Sequence, residues 1–385
     1  MNSPAELLSP SLQQRVRAFL CGDVMTGRGI DQVLAHPCDP QLYEDYVRSA
    51  VEYVRIAEQI SGPIPRKVQP AYIWGAALHA WDRMAPDIRI INLETSITHC
   101  ENRAPKGINY RMSPQNAACL RPASVDCTVL ANNHILDWGR AGLVDTLQTL
   151  ASLQIQTAGA GRNLQEARAP AILPIAGQGR VLVFAFACVT SGTPVEWAAT
   201  QESTGVNLLL HLNEQTAIDV ADQIARVRQS DDIVIVSVHW GPNWGYDISD
   251  EQRFFARALI DMADVSIVHG HSSHHPMPIE VYRDRLILYG CGDFLNDYEG
   301  IAGYERYRSE LTLMYFADLD PRSKNLVALE LTPLQIRRFQ LVRPSSHDIQ
   351  WLRQKLDQES QRFETRIELT AEETFSVSWP GQASS

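Results

Sequence analysis

Apolar runs recur along this chain, and each stops at a cluster of polar side chains. Val16 to Cys21, Asp87 to Asn92, Val125 to Leu130, Asp232 to Val238 and Asp264 to Val268 are short and nearly continuous, the pattern of strands buried on both faces. Between them apolar positions fall at helical spacing. Leu42, Tyr46, Ala50, Val54 and Ala57 follow Asp39-Pro40, a cap with proline at the first helical position. Ala71 to Met84 places Trp74, Leu78 and Trp81 on one face, which reads as core. Further helices are predicted over Arg140 to Leu153, over Leu212 to Arg228, and from Ser249, capped with Gln252, to about Met262. Hairpins are predicted for Ala171 to Ile175 with Arg180 to Ala187, and for Ile279 to Tyr282 with Leu286 to Tyr289. Strands alternating with helices indicate an α/β core.

After Glu310 the pattern changes to alternating β segments with one helix from about His347 to Phe363. The expected organisation is a loose leader over residues 1–14, a main domain over 15–320, and a β-rich extension over 321–385. Whether the extension joins the main domain is open at this level.

Composition narrows the function classes. Of 385 residues 45% are hydrophobic and 21% charged, an ordinary globular balance. The formal net charge of −11 argues against nucleic acid as a partner and against an anionic membrane, since both need a basic face. No apolar run approaches the roughly 20 residues of a membrane span, and the first residues lack the pattern of a secretory signal. The cytoplasm is the expected compartment. Seven cysteines (Cys21, Cys38, Cys100, Cys119, Cys127, Cys188 and Cys291) form an odd set without a CxxC pair, so reduced thiols are expected rather than disulfides or a thiolate zinc site.

The candidate chemistry sits where the strands end. Asp23, Glu94, Asn133 with His134, and His239 each follow an apolar run. His269, His271, His274 and His275 crowd into one turn after another. Carboxylate, amide and imidazole together suit zinc, manganese or iron(II), and the lack of thiolates argues against a closed structural zinc site. Residues so far apart in sequence converge only if the strands lie side by side. Gly159-Ala160-Gly161-Arg162-Asn163 does not complete GxGxxG, so no dinucleotide site is predicted; Asn163 and Glu166 have the spacing of a capping box.

Six stretches together resemble the capsule synthesis CapA (poly-gamma-glutamate biosynthesis) family, which is similar in fold to calcineurin-like metallophosphoesterases. They are Gly22-Asp23-Val24-Met25-Thr26-Gly27-Arg28, Asn92-Leu93-Glu94, Ala131 to Gly139 (ANNHILDWG), Gly159 to Asn163, His239-Trp240-Gly241, and Gly270-His271-Ser272-Ser273-His274. The resemblance implies a four-layer αββα sandwich, with Asp23, Glu94, Asn133, His239, His271 and His274 as ligands of one or two divalent ions. It also implies His134 as a proton donor beside the metal. Three departures stand out. Asp23-Val24-Met25 replaces Asp-x-His, which removes one imidazole; Glu94 stands where an aspartate is usual; and Gly-His-Ser-Ser-His replaces Gly-His-x-His.

The leading functional expectation is a metal-dependent enzyme acting on a peptide or poly-gamma-glutamate-like substrate, by hydrolysis or transfer at a carbonyl or phosphoryl centre. Asp23, His134 and His274 are the candidate catalytic residues. Two alternatives stay open: a metal-dependent peptide Cα epimerase, and a non-catalytic module for assembling a capsule polymer.

Overall fold

The computed structural model describes residues 15–382; the leader expected over residues 1–14 lies outside them. Two β-sheets pack face to face and helices cover the outer face of each, which makes a four-layer αββα sandwich. The ten-stranded sheet runs in the order Arg366–Leu369, Phe375–Ser378, Leu326–Arg337, Leu311–Leu319, Val16–Val24, Ile88–Leu93, Cys127–Val129, Gln156–Ala158. Val16–Val24 and the three strands after it in that order pair in parallel, while Leu311–Leu319 joins Val16–Val24 antiparallel. Segments from beyond residue 320 therefore extend the same sheet. The seven-stranded sheet carries Gly179–Cys188, Ile233–His239, Ile267–His271 and Arg285–Leu288 side by side in parallel.

Period-two alternation divides the second sheet between two cores. Val181, Val183, Ala185 and Ala187 enter the core shared with the first sheet; Leu182, Phe184, Phe186 and Cys188 pack under the helices Glu214–Ala225 and Asp250–Ala263. On the first sheet Phe19 meets Trp81 edge to face at 5.2 Å, and Trp74 meets Trp81 at 5.6 Å. The tryptophan stripe is core. Deep between the sheets the His269 Nε2–H donates to the Cys21 carbonyl at 2.7 Å.

Two predicted helices differ from those observed. The one expected to start at Asp39-Pro40 begins only at Ala50 and ends at Ser61. Residues 40–50 close a loop instead, with the Ala50 N–H donating to Pro40 and the Leu42 N–H to Arg48. That loop turns Glu44 inward to the guanidinium of Arg28, at 2.9 Å, so a tertiary ion pair overrides the local periodicity. The helix expected over Ala71 to Met84 is split into a 3₁₀ turn, Tyr72–Trp74, and an α-helix, Ala76–Met84. Gly75 between them has φ 40°, and a Cβ there would lie 2.1 Å from the Leu341 carbonyl oxygen. Only half of the capping box at Asn163 forms, because the Glu166 carboxylate accepts from Arg162 N–H instead. The box at Ser249 and Gln252 is complete. All seven cysteines are free, and among the described residues no helix is long and apolar enough to cross a membrane.

Gly22 shows how closely the sheet must be built around the polar strand ends. A Cβ at this position would sit 1.6 Å from the Gly292 carbonyl oxygen, which itself accepts the Asp23 N–H at 2.9 Å. Gly22→Ala is expected to destabilise the fold by on the order of 3 kcal/mol or more, read as a lowered urea midpoint. An unchanged midpoint would show that this close approach is dispensable.

Candidate metal centre

The polar strand ends meet at the junction of the two sheets. Parallel register sets Asp23 beside Asn92 and beside Asp293, and sets His239 beside His271. Amide side chains then fix the carboxylate. Asn92 Nδ2 donates to Asp23 Oδ1 at 2.7 Å, and Asn132 Nδ2 donates to Asn92 Oδ1 at 3.0 Å. Asp23 Oδ2 accepts the Ser272 N–H at 3.3 Å. Ser272 itself holds φ 101°, a conformation that costs a non-glycine residue on the order of 1–3 kcal/mol and persists only where neighbours enforce it.

The residues expected as ligands converge at this junction. His239 Nδ1 and His271 Nδ1 face each other at 2.8 Å, His271 Nδ1 lies 4.0 Å from Asp23 Oδ1, and His239 Nε2 contacts Asn133 Oδ1 at 3.2 Å. Glu94 Oε1 is 3.7 Å from His239 Nε2 and 3.8 Å from His134 Nε2. The histidines divide, however, into two groups that share Asp23. One is Asp23, His239 and His271; the other is Asp23, His274 and Asp293; within each, the ligand atoms lie within 4.8 Å of one another. The other two histidines of the turn take supporting places. His269 bridges the sheets, and His275 is stacked on Tyr307 at 4.6 Å.

Burial governs the charges. It pushes the Asp23 carboxyl up to about 7, with the nearby Asp293 charge adding to the effect. Burial first and Asp23 second hold Glu94 well above the ordinary carboxylate range. His239 and His271 are driven far down by burial and by neighbouring imidazoles, so both are neutral, the form that ligates metal. His274 goes the other way: burial opposes its charge, but Asp293 at 2.8 Å and Asp23 together outweigh burial and raise its pKa. Glu94 Oε2 is buried without a hydrogen-bond partner. An unpartnered carboxylate oxygen among neutral imidazoles and a second carboxylate is the environment a divalent cation relieves. The donor set fits such an ion.

His134 is held differently. Its Nδ1–H donates to Asp137 Oδ2 at 2.6 Å, and the same oxygen accepts the Tyr110 N–H at 2.6 Å. Lys106 Nζ lies 2.8 Å from Asp137 Oδ1. Burial lowers the His134 pKa to about 4, against the pull of Asp137. The neutral ring therefore carries its proton on Nδ1 and turns the Nε2 lone pair towards Glu94. An open cleft of about 740 Å³ reaches both His134 and His274, and Trp244 stacked on Tyr304 at 4.0 Å forms part of its wall.

Sequence reading assigned no role to Asp293, Asp137 or Lys106. Asp293 carries the same local sequence as Asp23, Cys291-Gly292-Asp293 against Cys21-Gly22-Asp23. Asp137 lies within one helical turn of His134. Nothing in the local sequence marks Lys106.

Removing the acceptor at Asp137 tests how His134 is held. Asp137→Asn is expected to convert a single Nδ1–H tautomer into a mixture, seen in the ring ¹⁵N chemical shifts of His134. An unchanged tautomer would mean that Asp137 does not orient the ring.

Comparison with known proteins places this geometry in a family. Residues 17–298 match the family model described as bacterial capsule synthesis protein PGA_cap. A probable polyglutamine synthesis accessory protein of Mycobacterium tuberculosis is 47% identical over 354 residues, covering 91% of this chain and 93% of that protein. The PGA biosynthesis protein CapA of Bacillus subtilis is 29% identical over 247 residues, 64% of this chain and 60% of that protein. A solved structure described as a novel phosphatase from Mycoplasma pneumoniae aligns with a TM-score of 0.45 at 12% identity, over 86% of this chain and 95% of its own. With its matching segment spanning every strand end that builds the centre, this chain belongs to the bacterial capsule synthesis protein family PGA_cap.

Proposed function

We propose that this protein is a metal-dependent enzyme acting on a peptide or poly-gamma-glutamate-like substrate, by hydrolysis or transfer at a carbonyl or phosphoryl centre. The observation that carries the reading is the unpartnered Oε2 of Glu94, a residue buried beside Asp23, His134 and His239, where among the described residues no Lys or Arg forms an ion pair with it. Asp23, Glu94, Asn133, His239, His271 and His274 would hold zinc, manganese or iron. When bound, such an ion polarises the substrate oxygen and lowers the pKa of a water.

The chain's own groups handle the protons. His134, neutral with its proton on Nδ1, accepts a proton at Nε2 and afterwards returns it to the leaving group, acting first as base and then as acid. Asp137 keeps the ring in that tautomer and stabilises its charged form. The cleft beside His134 and His274 admits the substrate.

Expected outcomes follow for metal and for turnover separately. His239→Ala and His271→Ala should lower the metal found by elemental analysis. His134→Ala should keep most of its metal yet lose turnover by about 10² to 10⁴. Undiminished metal in both ligand variants would dispose of the assignment. A second reading, a non-catalytic assembly module, is favoured by the word accessory in the name of the mycobacterial relative; metal-replete protein with no turnover on glutamyl peptides or phosphoesters would support it. Cα epimerisation differs from both in its product, an inverted and uncleaved peptide.

Metal binding should also depend on pH. Asp23 titrates at about 7 in the absence of metal and must be ionised to ligate, so below that pH each binding event displaces its proton. Affinity should fall by about tenfold per pH unit below 7 for this one group and level off above it. Calorimetry in buffers of different ionisation enthalpy counts the released protons; none released at pH 6 would contradict the role of Asp23.

A further inference from the structure

The cleft beside His134 and His274 is larger than a reacting phosphoryl or amide group alone requires. It holds about 740 Å³, within the range of about 300 to 1,000 Å³ in which sites enclose most of a whole ligand. Its mouth is apolar and open to solvent. Ile60 is 69% exposed, Tyr46 66%, Tyr304 45% and Ile301 38%, and all four border this one cleft. Single exposed apolar side chains need no explanation, but a group of them around a concave opening marks a binding site. Ile108 and Ile336 add further apolar lining.

These side chains are already held in place. Ile60 lies in the last turn of the helix Ala50–Ser61, and a Cβ on Gly300 would come within 3.1 Å of its Cγ1, so the loop that carries Ile301 is laid directly against it. The Tyr46 hydroxyl oxygen is 3.4 Å from that of Tyr53, and Tyr304 is stacked on Trp244. Little ordering remains to oppose a ligand.

Charge points the same way. Of the three arginines that line the cleft, Arg28 is closed by Asp297 and Glu44, and Arg308 by Glu310 at 2.5 Å and Asp348 at 2.7 Å. Among the described residues only Arg337 of the three forms no ion pair, and the cleft-lining carboxylates Glu299 and Glu305 form none either. A run of glutamyl carboxylates would meet one free cation and two free anions. We propose that the mouth is a specificity subsite for an apolar side chain flanking the reacting bond, so that the substrate is a peptide bearing such a residue rather than an unbroken poly-gamma-glutamate chain. The inference rests on the metal-dependent reading above, in which this cleft admits the substrate.

The test compares two blocked peptides, acetyl-Phe-Glu-Phe amide and acetyl-Glu-Glu-Glu amide, by calorimetry on the full chain loaded with manganese and checked by elemental analysis. The Phe peptide should bind about tenfold more tightly or better. Ile60→Ser and Tyr46→Ser should each narrow the gap and the double variant should abolish it, with melting temperature and metal content unchanged, because both side chains lie mostly in solvent. Equal affinities, tighter binding of the glutamate peptide, or a preference that survives in the double variant overturns the inference while the metal-dependent reading stands. A wild-type dimer that Ile60→Ser converts to monomer assigns the mouth to a second copy of the chain and overturns it likewise. Protein that takes up no metal sinks the metal-dependent reading, and the inference with it; metal-loaded protein that binds neither peptide removes the inference and leaves only the metal site.

Discussion

Three carboxyl groups, Asp23, Glu94 and Asp293, are buried together where the two sheets meet, and among the described residues no Lys or Arg forms an ion pair with any of them. Burying even one unpaired carboxylate costs several kcal/mol. No local element would place a second beside it. The arrangement exists because parallel pairing delivers each group from a different strand, and the sheets as a whole outweigh the local cost. The raised Asp23 and Glu94 are the visible strain of that bargain, and the neutral His239 and His271 opposite them complete a pocket made for positive charge.

The other buried charge near the cleft is treated in the opposite way. Arg28 is sealed between Asp297 at 2.5 Å and Glu44 at 2.9 Å, with the ring of Tyr53 4.0 Å and that of Tyr110 4.3 Å from its guanidinium carbon. Its charge is matched within the protein, so it calls for no ligand. It instead ties the 40–50 loop to the strand-end turn at Arg28 and to Asp297, fixing one side of the cleft. The same tie explains why helical spacing failed to make a helix there: Glu44 could not reach Arg28 from a helix already begun at Pro40.

Much of the architecture was legible because parallel strands buried on both faces leave continuous apolar runs, and their polar ends are then conspicuous. Asp23, Glu94, His134, His239 and His271 could be picked out on that ground, as could the helices with capping signals at Ser249. What was not legible depends on contacts from distant segments. The break at Gly75 is imposed by the Leu341 carbonyl, and Lys106 gains its meaning only where the fold lays it against Asp137. Asp293 stood in plain view with the right local pattern, but its register against Asp23 is a property of the sheet.

The site divides its histidines by access. His239 and His271 are sealed and neutral, their nitrogens turned to each other, to Asn133 and to Ser237; neither lines the cleft. His134 and His274 do line it, and each has its Nδ1 against a carboxylate, Asp137 or Asp293. The difference lies in what surrounds those carboxylates. Asp137 is matched by Lys106, so His134 gains orientation without being driven to ionise, and its Nε2 stays free for a proton. Among the described residues no Lys or Arg forms an ion pair with Asp293, and together with Asp23 it raises the pKa of His274 against burial. The two cleft-facing imidazoles thus differ in state although each touches a carboxylate: burial prevails at His134, whereas the carboxylates around His274 prevail over burial.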